Sequence, residues 1–375
     1  MRVLLSPLPT WSHLAPMLPV AWILQAKGHD VMVAAPANVA AMVTGTGLNH
    51  VPTVENMNLG EMIGVDKHGN PVPDPPNLSD KLIRNARGFA RASLATLEAM
   101  EQVFDTWRPD LVIGDPTEFA ARISSARRGI PTVMHEWGMP IPDETTLTLR
   151  AELKDELARI DAESPLMTVE TCPAVLSPEK APNRQRMRFV PVNGAATVPL
   201  ELLRRGEPPR VCLTFGGIIG NNPRAAGPAA NLATRLAQEG YEVLLAVGEV
   251  VKADLPELPE RVLHVGELPL SKALPTCDLL LHHGGSGSSL SAMALGVPQV
   301  VMPIASDQFI NADCVNQLGV GIGLAPGAIG PDDVAGAAAK VLAAPEFAQR
   351  SAEVRDEMLR QPSPAEVAAM IERLA

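Results

Sequence analysis

The sequence predicts an α/β protein built as two successive parallel-sheet domains. Three observations carry that expectation. Short apolar runs alternate with stretches of helical spacing along the whole chain, the pattern of strands that return through helices to run parallel. A stretch rich in proline and polar residues, 191–209, interrupts the alternation, which restarts at Arg210-Val211-Cys212-Leu213-Thr214. The chain has 375 residues and 46% hydrophobic content, enough to fill two cores of ordinary size.

Element by element, unbroken apolar runs predict strands near Val3–Ser6, Asp30–Ala35, Leu111–Gly114 and Thr132–His135. Helical spacing predicts helices over 14–27, 39–45, 82–107 and 118–128, with Gly28 and Gly129 as C-terminal stops. Residues 54–79 break the pattern. Pro71, Pro73, Pro75 and Pro76 crowd together beside Gly60, Gly64 and Gly69, which predicts a long loop. Such a loop serves either as a lid over a ligand or as a surface insertion. The second series predicts strands near 242–247, 262–265, 279–282 and 299–302 after the one at Arg210. Val367, Met370, Ile371 and Leu374 give the last segment helical spacing. The expected division is a first domain over 1–195, a linker over 196–209, a second domain over 210–361 and a terminal helix over 362–375.

Charge and cysteine usage exclude several classes. Lys plus Arg number 31 against 42 Asp plus Glu, a net −11 that disfavours a nucleic-acid or anionic-membrane surface. An anionic ligand would therefore need a local site. Aromatic residues make up 3%, so the cores must rest on Leu, Val, Ile, Ala and Met. Cys172, Cys212, Cys277 and Cys314 are far apart and without CxxC spacing, which suggests neither zinc nor disulfides and fits a reduced, cytoplasmic setting. Pro7 and Pro9 interrupt the N-terminal apolar run too early for a signal peptide, and no run is long enough to span a membrane.

The richest motif is Leu281-His282-His283-Gly284-Gly285-Ser286-Gly287-Ser288-Ser289. It follows an apolar run and precedes a helix expected from Ser289 to Leu295. A helix start offers unpaired N–H groups and the positive end of the dipole to an anion. Gly284, Gly285 and Gly287 let the backbone turn and approach a ligand. His283 and Ser288 add side-chain donors. One βα unit later come Ser306-Asp307-Gln308 and Asn311-Ala312, suited to the hydroxylated far end of a phosphate ligand, as in a nucleotide sugar.

The run from His282 to Ala312 resembles the donor-binding signature of the family-1 glycosyltransferases, close to the bacterial enzymes that attach deoxysugars to antibiotics and other polyketides. Ser12-His13-Leu14-Ala15-Pro16-Met17 and Ala26-Lys27-Gly28-His29-Asp30-Val31 resemble the family's opening helix and second strand. The resemblance implies the GT-B fold, two Rossmann-like domains facing a shared cleft, with the last helix crossing back onto the first domain. It implies that His283 contacts the α-phosphate, that Gly287 and Ser288 contact the β-phosphate, and that Asp307 and Gln308 contact the sugar. The turn holding Thr214, Gly216 and Gly217 would line the side of the leaving group opposite His283, with Gly284 and Gly285 letting the His283 turn approach it. Leu268 would pair with the base through its backbone, although many members carry Trp or Phe where this chain has Glu267. The nucleotide implied is dTDP, as the donor substrate and not a cofactor.

Such a reaction needs a base for the acceptor. His13 follows the first strand, and Asp115 follows the strand ending at Gly114, so the two can form a dyad in which the carboxylate fixes the imidazole tautomer. The family assigns these roles to such residues; the alternatives are a helix cap at each position. Trp11 and Trp137 flank the proposed base and could wall an apolar acceptor, joined by Met62, Met134 and Met139. Trp22 and Trp107 fit helix packing, and His29 a turn. Glu136 reads as a structural or solvated carboxylate. No Asp-x-Asp triplet occurs, so the expected reaction is a metal-independent, inverting displacement, with no metal ligands to name. A nucleotide-sugar epimerase and an inactive donor-binding partner protein are the rival readings, and a homodimer is left open.

Overall fold

The computed structural model describes residues 1–160, 165–176, 183–305 and 307–374. The backbone divides into two compact units, Met1–Arg188 with Gln361–Ala375, and Phe189–Arg360.

The first unit is a seven-stranded sheet of β1 (Arg2–Ser6), β2 (Asp30–Ala35), β3 (Asn49–Pro52), β4 (Leu111–Gly114), β5 (Thr132–His135), β6 (Met167–Glu170) and β7 (Arg184–Arg186). Every pairing is parallel, in the order β3-β2-β1-β4-β5-β6-β7. Parallel strands need crossover helices on both faces, so β4 and β5 are buried at every position. On one face Leu4, Ala34 and Val112 pack with Met100 and Phe104 of the Leu78–Trp107 helix and with Ala120 and Ala121. The order reverses between β1 and β4, which opens a crevice beyond their C-terminal ends.

The second unit repeats the plan with β8 (Arg210–Thr214), β9 (Glu242–Ala246), β10 (Val262–Gly266), β11 (Leu279–His282), β12 (Gln299–Val301) and β13 (Gly321–Gly323). The order is β10-β9-β8-β11-β12-β13, again all parallel. Residues alternate between the faces with period two. Val211, Leu213, Val243, Leu245, Leu279 and Leu281 join one core, and Cys212, Leu244, Ala246 and Leu280 join the other. Here the reversal falls between β8 and β11.

Several expected elements differ. The helix expected over 14–27 is split into Trp11–Leu14, a 3-10 turn Ala15–Met17, and Leu18–Ala26, because Pro16 and Pro19 lack the N–H a continuous helix would use. The stretch 54–79 is not all loop: Leu59–Gly64 is a helix capped by Asn58, whose side chain accepts the Gly60 and Glu61 N–H groups. Arg91 pins it by donating from Nε and Nη2 to the Met62 carbonyl at 3.2 and 2.6 Å. The expected linker 196–209 belongs to the second unit, where Leu202 is buried with Cys212 and Leu274. Trp22 is not on a core face; it is 38% exposed and donates from Nε1 to the Thr46 carbonyl.

β3, β6, β7 and β13 carry too many polar or glycine positions to stand out by hydrophobic runs. The first unit ends at Arg188 and regains the chain at Gln361. Its last helix, Pro364–Ile371, lies on Leu18–Ala26 with Val367, Ala368 and Ile371 fully buried. His29 is more than a turn residue: Nε2 meets Glu372 at 2.7 Å, and Lys27 pairs with the same carboxylate. Among the described residues no helix is long and apolar enough to cross a membrane.

Candidate active site

His13 and Asp115 emerge at the reversal point of the first sheet. β1 and β4 run side by side with Ser6 opposite Gly114, so the segments leaving them enter the same crevice. The Asp115 N–H donates to the Ser6 carbonyl at 3.1 Å, continuing the ladder by one residue. Asp115 is fully buried. Its Oδ1 accepts the Thr117 N–H and hydroxyl, both at 2.7 Å, and its Oδ2 lies 2.5 Å from His13 Nδ1. One oxygen therefore serves the local turn and the other the imidazole; Asp115 caps no helix, because the next one starts at Ala120 with Phe119 at its cap position and gives its first N–H groups to Glu118. A carboxylate oxygen can only accept, which puts the His13 proton on Nδ1 and leaves a lone pair on Nε2.

Aromatic rings enclose the imidazole. Trp137, just past β5, has its ring centroid 4.4 Å from that of His13, and Phe89 of the Leu78–Trp107 helix approaches edge-on at 6.3 Å. Phe89 escaped the sequence reading because helical spacing makes it an ordinary core residue. It packs with Leu8, Met57 and Ala92. These three, with Ala35, Met100 and Glu118, line a cavity above the ends of β1 and β2.

The other acceptor candidates divide. Trp11 opens the same short helix as His13 and is partly exposed. Met62 packs with the Phe89 group, while Met134 and Met139 are buried and present little surface to a ligand.

Three further titratable groups are buried in the first unit, and two of them, Glu118 and His135, feel the charge of Asp115. Glu118 accepts the Ala120 and Ala121 N–H groups at 2.7 and 3.1 Å and the Ser6 hydroxyl at 2.8 Å, and burial pushes its pKa up to about 7. His135 donates from Nδ1 to the Glu136 carbonyl at 2.9 Å, and burial lowers its pKa to about 4. Glu136 is not solvated. It is buried against Arg184 at 3.2 Å, which also pairs with Glu170, and burial pushes its pKa up to about 7.

In the second unit the glycine turn sits at the corresponding place. β8 and β11 are neighbours with Thr214 opposite His282, so the turns after them meet. Thr214 is buried, and its hydroxyl accepts the Gly216 N–H at 3.2 Å. The His283 ring lies in a slot between two glycines. A Cβ at Gly216, whose φ is +66°, would stand 2.9 Å from His283 Nε2, and one at Gly285 would stand 2.7 Å from it. Burial lowers the His283 pKa to about 4, so at neutral pH it is an uncharged donor-acceptor. Among the described residues its Nδ1 has no hydrogen-bond partner.

The helix after the turn runs Ser286–Leu295, three residues earlier than expected, with Gly285 as its cap. Gly287 and Ser288 therefore lie in its first turn. The Ser288 N–H donates to the Gly285 carbonyl at 3.1 Å, so Ser288 offers its hydroxyl alone. The N–H groups that open the helix are those of Ser286 and Gly287. Gly217 is exposed in the short Gly216–Ile219 helix. The Leu268 side chain is core, packed with Cys212 and Leu244, which leaves only its backbone for a ligand. Asp307 caps the Gln308–Leu318 helix by position, and Gln308 Oε1 accepts the Ile304 and Ala305 N–H groups at 2.8 and 3.0 Å. Among the described residues no group of three or more His, Cys, Asp or Glu side chains could hold a metal ion.

Comparison with known proteins places this architecture. The family described as Erythromycin biosynthesis protein CIII-like, N-terminal domain, matches residues 22–216, and its C-terminal domain counterpart matches 230–374. An L-demethylnoviosyl transferase from Streptomyces niveus is 38% identical, over 98% of this chain and 97% of that one. The crystal structure of the Streptomyces sp. SF2575 glycosyltransferase SsfS6 with thymidine diphosphate is similar at a TM-score of 0.88 and 29% identity, covering 100% and 99% of the two chains. Spinosyn rhamnosyltransferase SpnG with spinosyn aglycone is similar at a TM-score of 0.85 and 29% identity, covering 99% and 100%. With two Rossmann-like units, each carrying its candidate residues at a sheet reversal, the chain belongs to the erythromycin biosynthesis protein CIII-like family of GT-B glycosyltransferases.

Proposed function

We propose that this glycosyltransferase moves a deoxysugar from dTDP to a hydroxyl of an apolar polyketide-type acceptor, by a single inverting displacement without a metal ion. The observation that carries the reading is the buried His13–Asp115 pair at the reversal point of the first sheet. The donor class is supported by the relatives, which include a thymidine diphosphate complex and transferases of antibiotic sugars. The acceptor class is supported by the aglycone complex and by the aromatic surround of His13.

In this reading His13 Nε2 takes the acceptor proton, and the freed oxygen attacks the anomeric carbon. A new carbon–oxygen bond forms as the bond to the β-phosphate breaks, and dTDP leaves with the electron pair. Asp115 steadies the imidazolium that develops. The departing charge falls to the Ser286 and Gly287 N–H groups, the Ser288 hydroxyl and neutral His283, donors that need no reorganisation when charge appears. Asp307 and the Gln308 amide nitrogen orient the sugar.

The test incubates the purified chain with a dTDP-deoxysugar, a panel of hydroxylated aromatic polyketides and a chelator. A glycoside of opposite anomeric configuration supports the reading. Free sugar or a rearranged donor from incubation without acceptor would instead identify an epimerase. Nucleotide binding without turnover, unchanged in function by His13→Ala, would identify an inactive partner.

A further inference from the structure

Gly284 has a φ of +95°, and a Cβ there would stand 3.0 Å from both Gln308 Cβ and Val301 Cγ1. A glycine-glycine step can rotate its peptide planes at little cost, so nothing in the Gly284-Gly285 backbone itself keeps this turn in one shape. Two buried side chains do so from outside. The Gly284 N–H donates to His282 Nδ1 at 3.1 Å, and the Gly284 carbonyl accepts from Asn311 Nδ2 at 2.6 Å. Both peptide groups flanking the left-handed residue are thereby held.

Each clamp arm is itself anchored. Because a backbone N–H donates to Nδ1, the neutral His282 ring must carry its proton on Nε2, where it donates to Gln299 Oε1 of β12 at 3.0 Å. His282 is fully buried, which favours this uncharged form. Asn311, also buried, spends its second amide hydrogen on Ser286 Oγ at 3.1 Å, tying the first residue of the Ser286–Leu295 helix to the Gln308–Leu318 helix.

We propose that His282 and Asn311 are positioning residues. Together they lock the peptides on either side of Gly284 and so aim His283 and the N–H groups of Ser286 and Gly287 at a diphosphate. This rests on the dTDP reading above and adds to it the origin of the turn's rigidity, since donors that are fixed beforehand bind without an ordering cost.

The experiment compares the full-length protein with its His282→Asn, His282→Gln and Asn311→Ala variants by dTDP calorimetry, donor and acceptor KM, thermal unfolding and amide exchange at Gly284. His282→Asn keeps an acceptor oxygen close to the position of Nδ1, and its dTDP affinity is expected within about threefold of the parent. His282→Gln carries its amide out to the Nε2 position and loses the Gly284 acceptor. It is expected to weaken dTDP on the order of tenfold, raise donor KM but not acceptor KM, and speed exchange at Gly284. Asn311→Ala should behave alike from the carbonyl side, and carries the test should His282→Gln fail to fold. Parental dTDP affinity and Gly284 exchange in His282→Gln or Asn311→Ala would overturn the clamp. If the parent protein itself ignores dTDP, the donor reading falls, while Gly284 exchange in the variants still decides the clamp: faster exchange supports it, and unchanged exchange overturns it.

Discussion

Replacing Asp115 by Asn is nearly isosteric, yet it should disable the base. Thr117 presents two donors to Oδ1, its N–H and its hydroxyl, while His13 presents one to Oδ2. An amide has one oxygen. Turned toward Thr117 it keeps both of those bonds and points its NH2 at His13 Nδ1, which must then become an acceptor. The imidazole proton moves to Nε2, and the lone pair that should face the acceptor is gone. The opposite orientation keeps the tautomer but sets NH2 against a buried N–H, at a cost of about 1–3 kcal/mol, or roughly fivefold to 150-fold against the productive form. Loss of the negative charge beside the developing imidazolium adds to this. The expected fall in kcat is about 10²- to 10⁴-fold. Steady-state kinetics with a dTDP-sugar and calorimetry with dTDP alone check it, since the proposed function puts the nucleotide grip on the other unit. A kcat within about threefold of the parent, or an equal loss of dTDP affinity, would refute the argument.

Two further outcomes follow from the second unit. Gly216→Ala puts a methyl group into the His283 ring at a backbone φ of +66°, so the ring must leave its slot. dTDP affinity should fall on the order of tenfold, together with a loss of about 1–2 kcal/mol in stability; calorimetry and denaturant unfolding check both. The pKa values of His282 and His283, lowered by burial from 6.5 to about 3 and about 4, set the pH response. The unfolded chain takes up these protons below about 6.5 while the folded unit refuses them. Their contribution to stability is therefore complete above about pH 6.5 and lost as pH falls from there to about 4 for His283 and about 3 for His282. Amide exchange in β11 should quicken at pH 5 relative to pH 7 after correction for intrinsic rates, and unchanged or slower exchange would contradict this.

Much of the site was legible because its chemistry is local. A strand, two glycines and a helix start are contiguous in sequence, and Gly284 and Gly285 do turn where read, although the helix begins at Ser286 and takes Gly287 and Ser288 into its first turn. Other elements were hidden for physical reasons. Arg184–Arg186 is a strand without a hydrophobic run, and Gly321–Gly323 has two glycines in three residues. Phe89 carries core-like spacing, and its role depends on a ring contact across the fold; His282 and Asn311 stood in the motifs the sequence offered, but Asn311, grouped there with the sugar-binding residues, turns its amide to the Gly284 carbonyl and the Ser286 hydroxyl instead. For Glu136 the sequence left a structural and a solvated carboxylate open, and the structural reading holds because β7, two strands away in the sheet, supplies Arg184.

The sequence by itself determined many of the elements and the chemical groups: a parallel α/β chain in two parts, a histidine after the first strand, an aspartate after the strand ending at Gly114, and a glycine-rich turn before a helix. Tertiary structure alone decided which of these meet. His13 and Asp115 are 102 residues apart, and they touch because β1 pairs with β4 on one side and β2 on the other. Gly216 reaches His283 for the same reason, through the pairing of β8 with β11. Strand order is a non-local property. Buried parallel strands are alike in composition on every side, so their neighbours are chosen by crossover handedness and packing of the whole sheet rather than by any segment within it.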